Sequence, residues 1–470
     1  MAEMRQLHVT CQHLVTQVRL LSRRSFTAAD MTTMSSATSG KPQLDNSSNF
    51  LSELPHRKHP GILNLNIVRL PKEAENAAEY ILKKFNIQHL EEYAASLTNY
   101  LWSRKRPIED TDLRIKASAL ETAFRTALPE SEIVTPAHNR KIKHQVLTAL
   151  RKQTYNWQPL SYTEQISLMY LAARFDGGYA AVTRVLQEIY KRVPDFKPES
   201  LLDFGSGVGS VTWATHALWG TSVKEYMCVD TSASMNQLSE LILRGGEESG
   251  DMHINNVYYR QFLPVSPKMQ YDLVTSAFSL NELPNLSARQ KTIQALWRKT
   301  GGFLVLVENG TKEGHQLLME ARDTVLRGGD KEIWDNRPAC IFAPCPHQLK
   351  CPRLQKLPCN FVQQYQSLPL KWNAPQRWEK FSFLVISRGI LGENGNHWPR
   401  VIGPVLRRPH HVHCQTCGSD GKLHRDVITP QKHGKDLYRC ARKCEWGDRL
   451  PAAQSNSEPD KPENEKTNDL

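Results

Sequence analysis

Short apolar runs alternate with helical patterns through the middle of the chain. Leu201 and Leu202 lead directly into a glycine-rich turn, and a helical pattern follows that turn. Three further apolar runs each predict one buried strand: Tyr226–Asp230, Tyr271–Leu283 and Gly302–Glu308. The second of these runs also includes the turn that follows its strand. Strands that alternate with helices form parallel sheets, because each helix carries the chain back across the sheet. We therefore predict a Rossmann-like α/β domain over residues 195–335.

The pattern on either side of this domain is different. Between residues 60 and 194 apolar positions recur with the period of a helix, for example Ala74, Ala77, Ala78, Ile81 and Leu82 on one face. These residues predict an N-terminal helical domain. Between residues 336 and 450 short apolar runs separated by turn residues predict a small, cysteine-rich β module. Its basic residues crowd one edge: Lys432, Lys435, Arg439, Arg442 and Lys443.

The two ends of the chain have the composition of unfolded segments. Residues 1–30 contain arginines at positions 5, 19, 23 and 24 with hydroxyl residues, and Glu3 is the only carboxylate before Asp30. This composition predicts a mitochondrial transit peptide and a matrix location; the alternative is a basic leader with no targeting role. Residues 31–59 and the acidic residues 451–470 are predicted to be a disordered linker and tail. No apolar run is long enough to span a bilayer.

The glycine turn is the first candidate site. Asp203 precedes Gly205, Gly207 and Gly209, and Ser210 stands where a dinucleotide-binding turn has Gly or Ala. This D-x-G-x-G-x-G pattern resembles the first motif of the class I S-adenosylmethionine-dependent methyltransferases. The resemblance implies that these residues bind S-adenosylmethionine, with Asp230 at the end of the next strand as the ribose ligand. The alternative is an ordinary strand-to-helix turn that binds nothing.

The net charge of +12 favours a polyanionic partner. Three basic clusters lie in the helical segment, at residues 104–106, 140–144 and 151–152, and they are interleaved with Tyr100, Trp102, Tyr155 and Trp157. Cations and rings in alternation predict an RNA-binding surface, in which the cations contact phosphates and the rings stack on bases. The alternative is solvated helix faces with aromatic residues in the core.

The cysteines indicate a metal centre. Cys345, Cys351 and Cys359 form a C-x5-C-x7-C pattern, and Cys228 is predicted to be a buried apolar residue. A matrix protein does not normally form structural disulfides, so we predict metal ligation by thiolates. The wide spacing favours a [4Fe–4S] cluster over zinc. Residues that could supply the fourth ligand are Cys340, Cys414, Cys417, Cys440 and Cys444, and a zinc ribbon built from the last four is the rival arrangement.

Together these motifs resemble the Rsm22-like family of mitochondrial small-ribosomal-subunit assembly factors. The residues that carry the resemblance are the glycine turn, the Ser279–Leu283 segment, the three spaced cysteines and the His411–Cys417 segment. The resemblance implies a matrix protein that binds the rRNA and proteins of the small subunit and is needed for mitochondrial translation. It also implies a [4Fe–4S] cluster whose fourth ligand is Cys417. We expect a monomer that does not insert into membranes.

Methyl transfer is a separate question. Enzymes that methylate base nitrogens commonly hold the base with an N/D-P-P-Y/F-type loop after the fourth strand of the sheet. Here the segment Ser279–Pro284 has neither the adjacent prolines nor the ring. We therefore predict no catalytic residue and a methyltransferase fold without activity. The alternative is an active methyltransferase that modifies rRNA or a ribosomal protein.

Overall fold

The structure is a computed structural model that describes residues 42–127, 135–153, 157–266, 268–328, 335–354, 357–389 and 397–453. The predicted transit peptide lies outside these residues. The first part of the described chain is helical, as predicted. Its elements are β1 (Gln43–Leu44), α1 (Phe50–Glu53), α2 (Lys72–Phe85), α3 (Leu90–Ser103), α4 (Asp110–Thr126), α5 (Pro136–Gln153) and α6 (Glu164–Arg192).

Strands and helices then alternate, which confirms the predicted α/β architecture. The elements are β2 (Ser200–Phe204), α7 (Ser210–Trp219), β3 (Glu225–Val229), α8 (Ala233–Leu243), β4 (Val257–Arg260), β5 (Tyr271–Ala277), α9 (Leu286–Arg298), β6 (Thr300–Asn309) and α10 (Lys312–Leu326). The last part of the described chain is mainly β-structure. It comprises β7 (Ala339–Ala343), β8 (Phe361–Gln366), β9 (Gln376–Arg388), β10 (Arg400–Val401), β11 (Leu406–Arg408), β12 (His411–Cys417), β13 (Leu423–Ile428), α11 (Pro430–His433), α12 (Lys435–Ala441) and β14 (Ala452–Ala453).

The central sheet has the strand order β4-β3-β2-β5-β6-β9-β7, and β8 pairs with the remaining part of β9. The five strands β2 to β6 are parallel, whereas β9 runs antiparallel between β6 and β7. Asp203 stands in register with Cys228 of β3 and Thr275 of β5. The turns that follow these strands therefore lie side by side at the carboxyl edge of the sheet, where open α/β sheets bind ligands.

Helix α6 joins the helical layer to the sheet. It is about 43 Å long at 1.5 Å per residue, and most of its side chains from Ser167 to Ile189 are buried. Small residues at its centre allow close packing: a β-carbon at Gly177 would stand 2.6 Å from a carboxylate oxygen of Glu379 on β9. The N-cap of α6 is Thr163, whose hydroxyl accepts the Ile166 N–H. The helix therefore forms part of the core beside the sheet.

Parts of the two segments predicted to be disordered have regular structure. Strand β1 lies within the predicted linker and pairs antiparallel with β14 from the predicted tail. Residues 42–454 form one compact unit, so the helical, sheet and cysteine-rich regions are not separate bodies. Strands this short have no hydrophobic periodicity, which is why the sequence pattern missed their pairing. In the described part of the chain, each helix is too short or too polar to cross a bilayer.

Candidate functional sites

The glycine turn connects β2 to α7 at the carboxyl edge of the sheet. Gly205, Gly207 and Gly209 have φ angles of +73°, +49° and +85°, which glycine adopts without strain. A β-carbon at Gly205 would stand 2.0 Å from Ser279 Oγ, and one at Gly209 would stand 2.7 Å from Ser239 Oγ. A β-carbon at Gly207 would have the Gly205 carbonyl oxygen as its nearest neighbour, 4.0 Å away. Serine side chains therefore crowd the turn at both ends, and its middle is open to a ligand.

Asp203 lies beneath this turn and is completely buried. Its Oδ1 accepts a hydrogen bond of 2.9 Å from the Thr275 hydroxyl, while its Oδ2 has no hydrogen-bond partner among the described residues. Burial raises the pKa of Asp203 to about 7. The buried Ser206 hydroxyl in the turn also lacks a partner within the described residues. Buried polar atoms without partners are costly, and a bound ligand with hydrogen-bonding groups would satisfy them.

Asp230 connects the turn to the neighbouring strand. One carboxylate oxygen accepts the Gly207 N–H at 3.0 Å, and the other accepts the Ser232 N–H at 2.9 Å. Burial raises the pKa of Asp230. Each carboxylate oxygen has two lone pairs, so both oxygens can still accept a further hydrogen bond. The structure thus brings together all five residues of the predicted adenosyl site.

The loop after β5 lies next to this turn, and residues of β6 and of the segment after α3 hold it in place. Phe278 has a φ of +58°, which is unusual for a residue with a side chain. Glu308 of β6 accepts the Leu280 N–H at 2.9 Å, and burial raises the pKa of Glu308 to about 8. Arg104, just after α3, donates to Glu282 at 2.5 Å. A cavity lies between this loop and α6 and is lined by Tyr170, Arg174 and Asn281. Its volume is about 310 Å³, including the space at its opening.

Two of the three cations in the first basic cluster have partners inside the protein, which argues against their predicted role in RNA binding, whereas Lys105 is exposed. The Arg104 side chain has no exposed surface, and its guanidinium lies 5.1 Å from the centre of the Trp157 ring. Arg106 forms ion pairs with Glu313 and Glu320 of α10. Rings close to cations in the sequence are here internal cation–π partners. Periodicity could not have shown this, because Glu282 is 178 residues away from Arg104.

The second candidate site is a cavity of about 280 Å³, again with its opening included. Cys345, Cys351, Cys359 and Cys417 all line it. Cys345 follows β7, Cys359 precedes β8, and Cys417 is the last residue of β12. The four predicted ligands therefore meet from three places in the chain. No group of three or more His, Cys, Asp or Glu in the described residues is spaced to hold a single metal ion.

Cations and imidazoles surround these thiols. The Nε2 atom of His315 lies 3.6 Å from Cys351 Sγ, and Nε2 of His347 lies 3.4 Å from Cys417 Sγ. Arg353 and Arg400 line the same cavity. Burial raises the pKa of Cys345 to about 12 and that of Cys359 to about 11. The thiols are thus protonated in the metal-free protein, and the nearby guanidinium groups favour the thiolates that a metal requires.

Arg400 is held by a buried ionic network. Its guanidinium contacts both carboxylate oxygens of Glu188, at 2.7 and 3.0 Å, and donates to the Pro344 carbonyl at 2.9 Å. Burial alone would raise the pKa of Glu188, but Arg400 and Arg184 hold it well below its usual value. Glu188 belongs to α6, so the cysteine cavity is fastened to the same helix that packs beside the glycine turn. This link could not be predicted from the sequence, because its residues are far apart along the chain.

The four cysteines of the rival zinc ribbon do not all meet, because Cys417 lines the other cavity, whereas Cys414 and Cys440 both lie near Cys444. Cys414 and Cys417 are three residues apart on β12, so their side chains leave opposite faces of the strand. Cys414 packs in the core of the small β module with Cys444, whose Sγ lies 3.5 Å from His59 Nε2. Cys228 is buried in β3, 3.4 Å from the Thr212 hydroxyl, as predicted for a small apolar residue.

In the central sheet the antiparallel strand β9 is inserted next to the last strand, and the glycine turn follows the first strand, β2. These two features define a class I methyltransferase fold. Solved methyltransferases align over parts of the chain with low similarity. Magnesium protoporphyrin IX methyltransferase from Synechocystis with bound S-adenosylmethionine is 13% identical, covers 56% of this chain and all of its own, and has a TM-score of 0.30. A ribosomal protein L11 methylase from Lactobacillus delbrueckii is 15% identical, covering 44% of this chain and 79% of its own, with a TM-score of 0.25.

Sequence comparison is more specific than the fold. The family described as mitochondrial small ribosomal subunit Rsm22 matches residues 164–451, a range that starts at the first residue of α6. The human protein "Ribosome assembly protein METTL17, mitochondrial" is 52% identical over 422 residues, which are 89% of this chain and 91% of the human protein. "Ribosome assembly protein RSM22, mitochondrial" of Saccharomyces cerevisiae is 23% identical over 416 residues, covering 59% of this chain and 66% of the yeast protein. The chain belongs to the Rsm22 family.

Proposed function

We propose that this chain is a mitochondrial matrix protein that assists assembly of the small ribosomal subunit and is needed for mitochondrial translation. In this proposal it binds rRNA, contains a [4Fe–4S] cluster and binds S-adenosylmethionine without transferring its methyl group. The observation that carries the proposal is the meeting of Cys345, Cys351, Cys359 and Cys417 in one cavity, within a chain whose relatives are ribosome assembly proteins.

The donor set of the cavity fits an iron–sulfur cluster. Four thiols with no carboxylate among the lining residues provide the soft ligands that such clusters take. When bound, the cluster would act as a crosslink between the segment after β7 and the end of β12. It would then hold the β module in shape for binding, with no redox step required.

The surface around the cavity offers contacts to phosphates. Four cations lie close to the predicted ligands in the sequence: Lys350, Arg353, Arg407 and Arg408. Arg353 donates to the Ile402 carbonyl, and Arg407 donates to the Cys444 carbonyl and to Glu445, so both side chains serve the fold. Lys350 and Arg408 are exposed. They are the cations of this group that we assign to rRNA.

The glycine turn supplies the adenosyl site of the proposal. Gly207 provides an open approach to the backbone, Asp230 has free acceptor positions for ribose hydroxyls, and Asp203 has an unpaired oxygen for the methionine end. S-adenosylmethionine would bring an activated methyl group to this edge of the sheet. The protein residues bind and orient it there.

Two features argue against methyl transfer. The loop after β5 lacks the prolines and the ring that hold a target base, and its Glu282 is paired with the buried Arg104. One feature favours the alternative of an active methyltransferase: Asn281 lines the cavity beside the loop, and its side-chain oxygen has no partner among the described residues. An amide oxygen in this position could accept a hydrogen bond from a substrate amine.

A rescue experiment tests these two functions against each other. Cells depleted of the protein would receive the wild type or a variant with Asn281→Ala and Glu282→Gln; glutamine keeps a hydrogen-bond partner for Arg104. We expect both proteins to restore small-subunit assembly on sucrose gradients and to leave the rRNA methylation profile unchanged. Loss of one methylation mark, in a variant that still associates with the subunit, would establish the methyltransferase instead. A wild type that never associates with the small subunit would refute the assembly role.

A further inference from the structure

Helix α5 has an unusual charge distribution. Its 18 residues include Arg140, Lys141, Lys143, Arg151 and Lys152 but no aspartate or glutamate. All five cations are exposed. No ion pair links any of them to another residue within the described part of the chain. The positive charges of this helix are therefore not neutralised by the described protein.

The cations share the outer side of the helix. The buried side chains of α5, Ile142 and Val146, mark the side that packs against α4. At 100° per residue Arg140, His144 and Arg151 fall within about 40° of one another, on the opposite side from Ile142 and Val146. Lys141, Lys143 and Lys152 flank them. We name these five lysines and arginines, together with His144, the α5 stripe.

Helix α4 offers an internal comparison. It has three cations, Arg114, Lys116 and Arg125, and it has three carboxylates as well. Arg125 pairs with one of these carboxylates, Glu121, at 2.7 Å. Mixed charge of this kind is ordinary for a solvated helix. The stripe instead places Arg140 and Lys143 three residues apart on a helix without carboxylates, and like charges at this spacing destabilise an isolated helix. A polyanion bound along the helix would remove that repulsion.

We propose that the α5 stripe binds the phosphate backbone of double-stranded rRNA. Phe, Tyr and Trp are all absent from residues 136–153, so the helix offers little for the base stacking that single-stranded RNA requires. Of the rings expected in the RNA surface, Trp102 and Trp157 instead contact buried arginines, and Tyr155 lies outside the described residues. A helix cannot enter the narrow major groove of duplex RNA, so contact with phosphates along the groove edge remains.

This inference rests on the proposed function and makes it more specific. From Arg140 to Lys152 the stripe extends about 18 Å at 1.5 Å per residue, enough to reach several successive phosphates. Phosphate contacts of this kind carry no sequence information, because the backbone is the same at every step. The stripe therefore provides affinity and orientation, while the choice of rRNA segment must come from RNA shape or from other surfaces.

The test uses the full chain and two matched triple variants. Lys141→Gln, Lys143→Gln and Arg151→Gln remove three charges from the stripe, and Arg114→Gln, Lys116→Gln and Arg125→Gln remove three from α4. Binding to a blunt RNA duplex and to a single strand of equal length would be measured over a range of salt concentrations. For the stripe variant we expect duplex binding to be at least about tenfold weaker. We also expect the slope of log Kd against log salt concentration to be smaller by about two to three.

The α4 variant should bind the duplex almost as tightly as the wild type. Equal losses in both variants would show a non-specific effect of net charge and overturn the inference. So would unchanged duplex binding by the stripe variant, or a loss confined to single strands. Circular dichroism would confirm that the variant helices are intact. If wild type and stripe variant associate equally with small subunits, the stripe inference alone fails; if the wild type does not associate at all, the proposed function fails.

Discussion

The two candidate sites are built in different ways. The glycine-turn site comes from neighbouring strands of one sheet, and its residues lie between positions 203 and 230, where β2 and β3 pair in register. The cysteine site joins residues 345–359 to Cys417, and the described residues between β7 and β8 contain no helix or strand. Backbone pairing thus preforms the first site. In our proposal the second depends on what its thiols bind, because a metal bound there would also order the chain.

The largest expected difference between the sites follows from removing the metal. Cys345→Ser should abolish the visible iron–sulfur absorbance. It should also raise amide hydrogen exchange about tenfold or more near residues 344–354 and 410–418, since local opening there is no longer opposed by the crosslink. Exchange in β2, β3 and β5 should not change, because their core does not include the cluster. Mass spectrometry of exchanged peptides measures both.

Cys228→Ser is the control for this experiment. Cys228 is fully buried in β3 but does not line the cysteine cavity, so the variant should keep the absorbance and the protection of both cysteine segments. If Cys345→Ser loses iron but keeps normal exchange in both segments, the cluster is not the crosslink that we propose.

The same contrast explains what could be predicted from the sequence. The α/β order, the glycine turn and the grouping of Cys345, Cys351 and Cys359 follow from local patterns, and the structure places Cys417 with them, as the family resemblance implied. The pairing of Arg104 with Glu282 and of Glu188 with Arg400 could not be predicted, because tertiary packing alone brings these residues together. For the same reason, the basic residues just after α3 and those of α5 looked alike in sequence, and only their burial and ion pairs in the structure distinguish them.

A smaller effect, dependent on pH, should distinguish the glycine-turn site. Burial raises the pKa of Asp203 from 3.8 to about 7, so the folded state favours the protonated carboxyl. The stability that the protonated carboxyl contributes is lost as the pH rises from about 4 towards 7. The ammonium group of the methionine end would favour ionised Asp203. We therefore expect the affinity for S-adenosylmethionine to rise roughly five- to tenfold from pH 6 to 7.5, as the carboxyl ionises.

Calorimetry of two variants checks this assignment. Asp203→Asn should bind weakly and with little dependence on pH. Asp230→Ala should bind weakly at every pH and retain the increase, but at a lower pH, because the charge of Asp230 helps to raise the pKa of Asp203. An unchanged pH dependence in Asp203→Asn would show that another group is responsible. Absence of binding by the wild type would remove the adenosyl site from the account.

The most direct test of the central claim is metal analysis of the protein purified without oxygen, in wild type and in two variants of one strand. Cys417→Ser removes a proposed ligand, and Cys414→Ser is matched to it, since Cys414 is equally buried on β12 but faces the other core. We predict iron and inorganic sulfide in equal amounts in the wild type and in Cys414→Ser, and neither in Cys417→Ser. Zinc in place of iron in the wild type, or a cluster that survives Cys417→Ser and is lost in Cys414→Ser, would contradict the account.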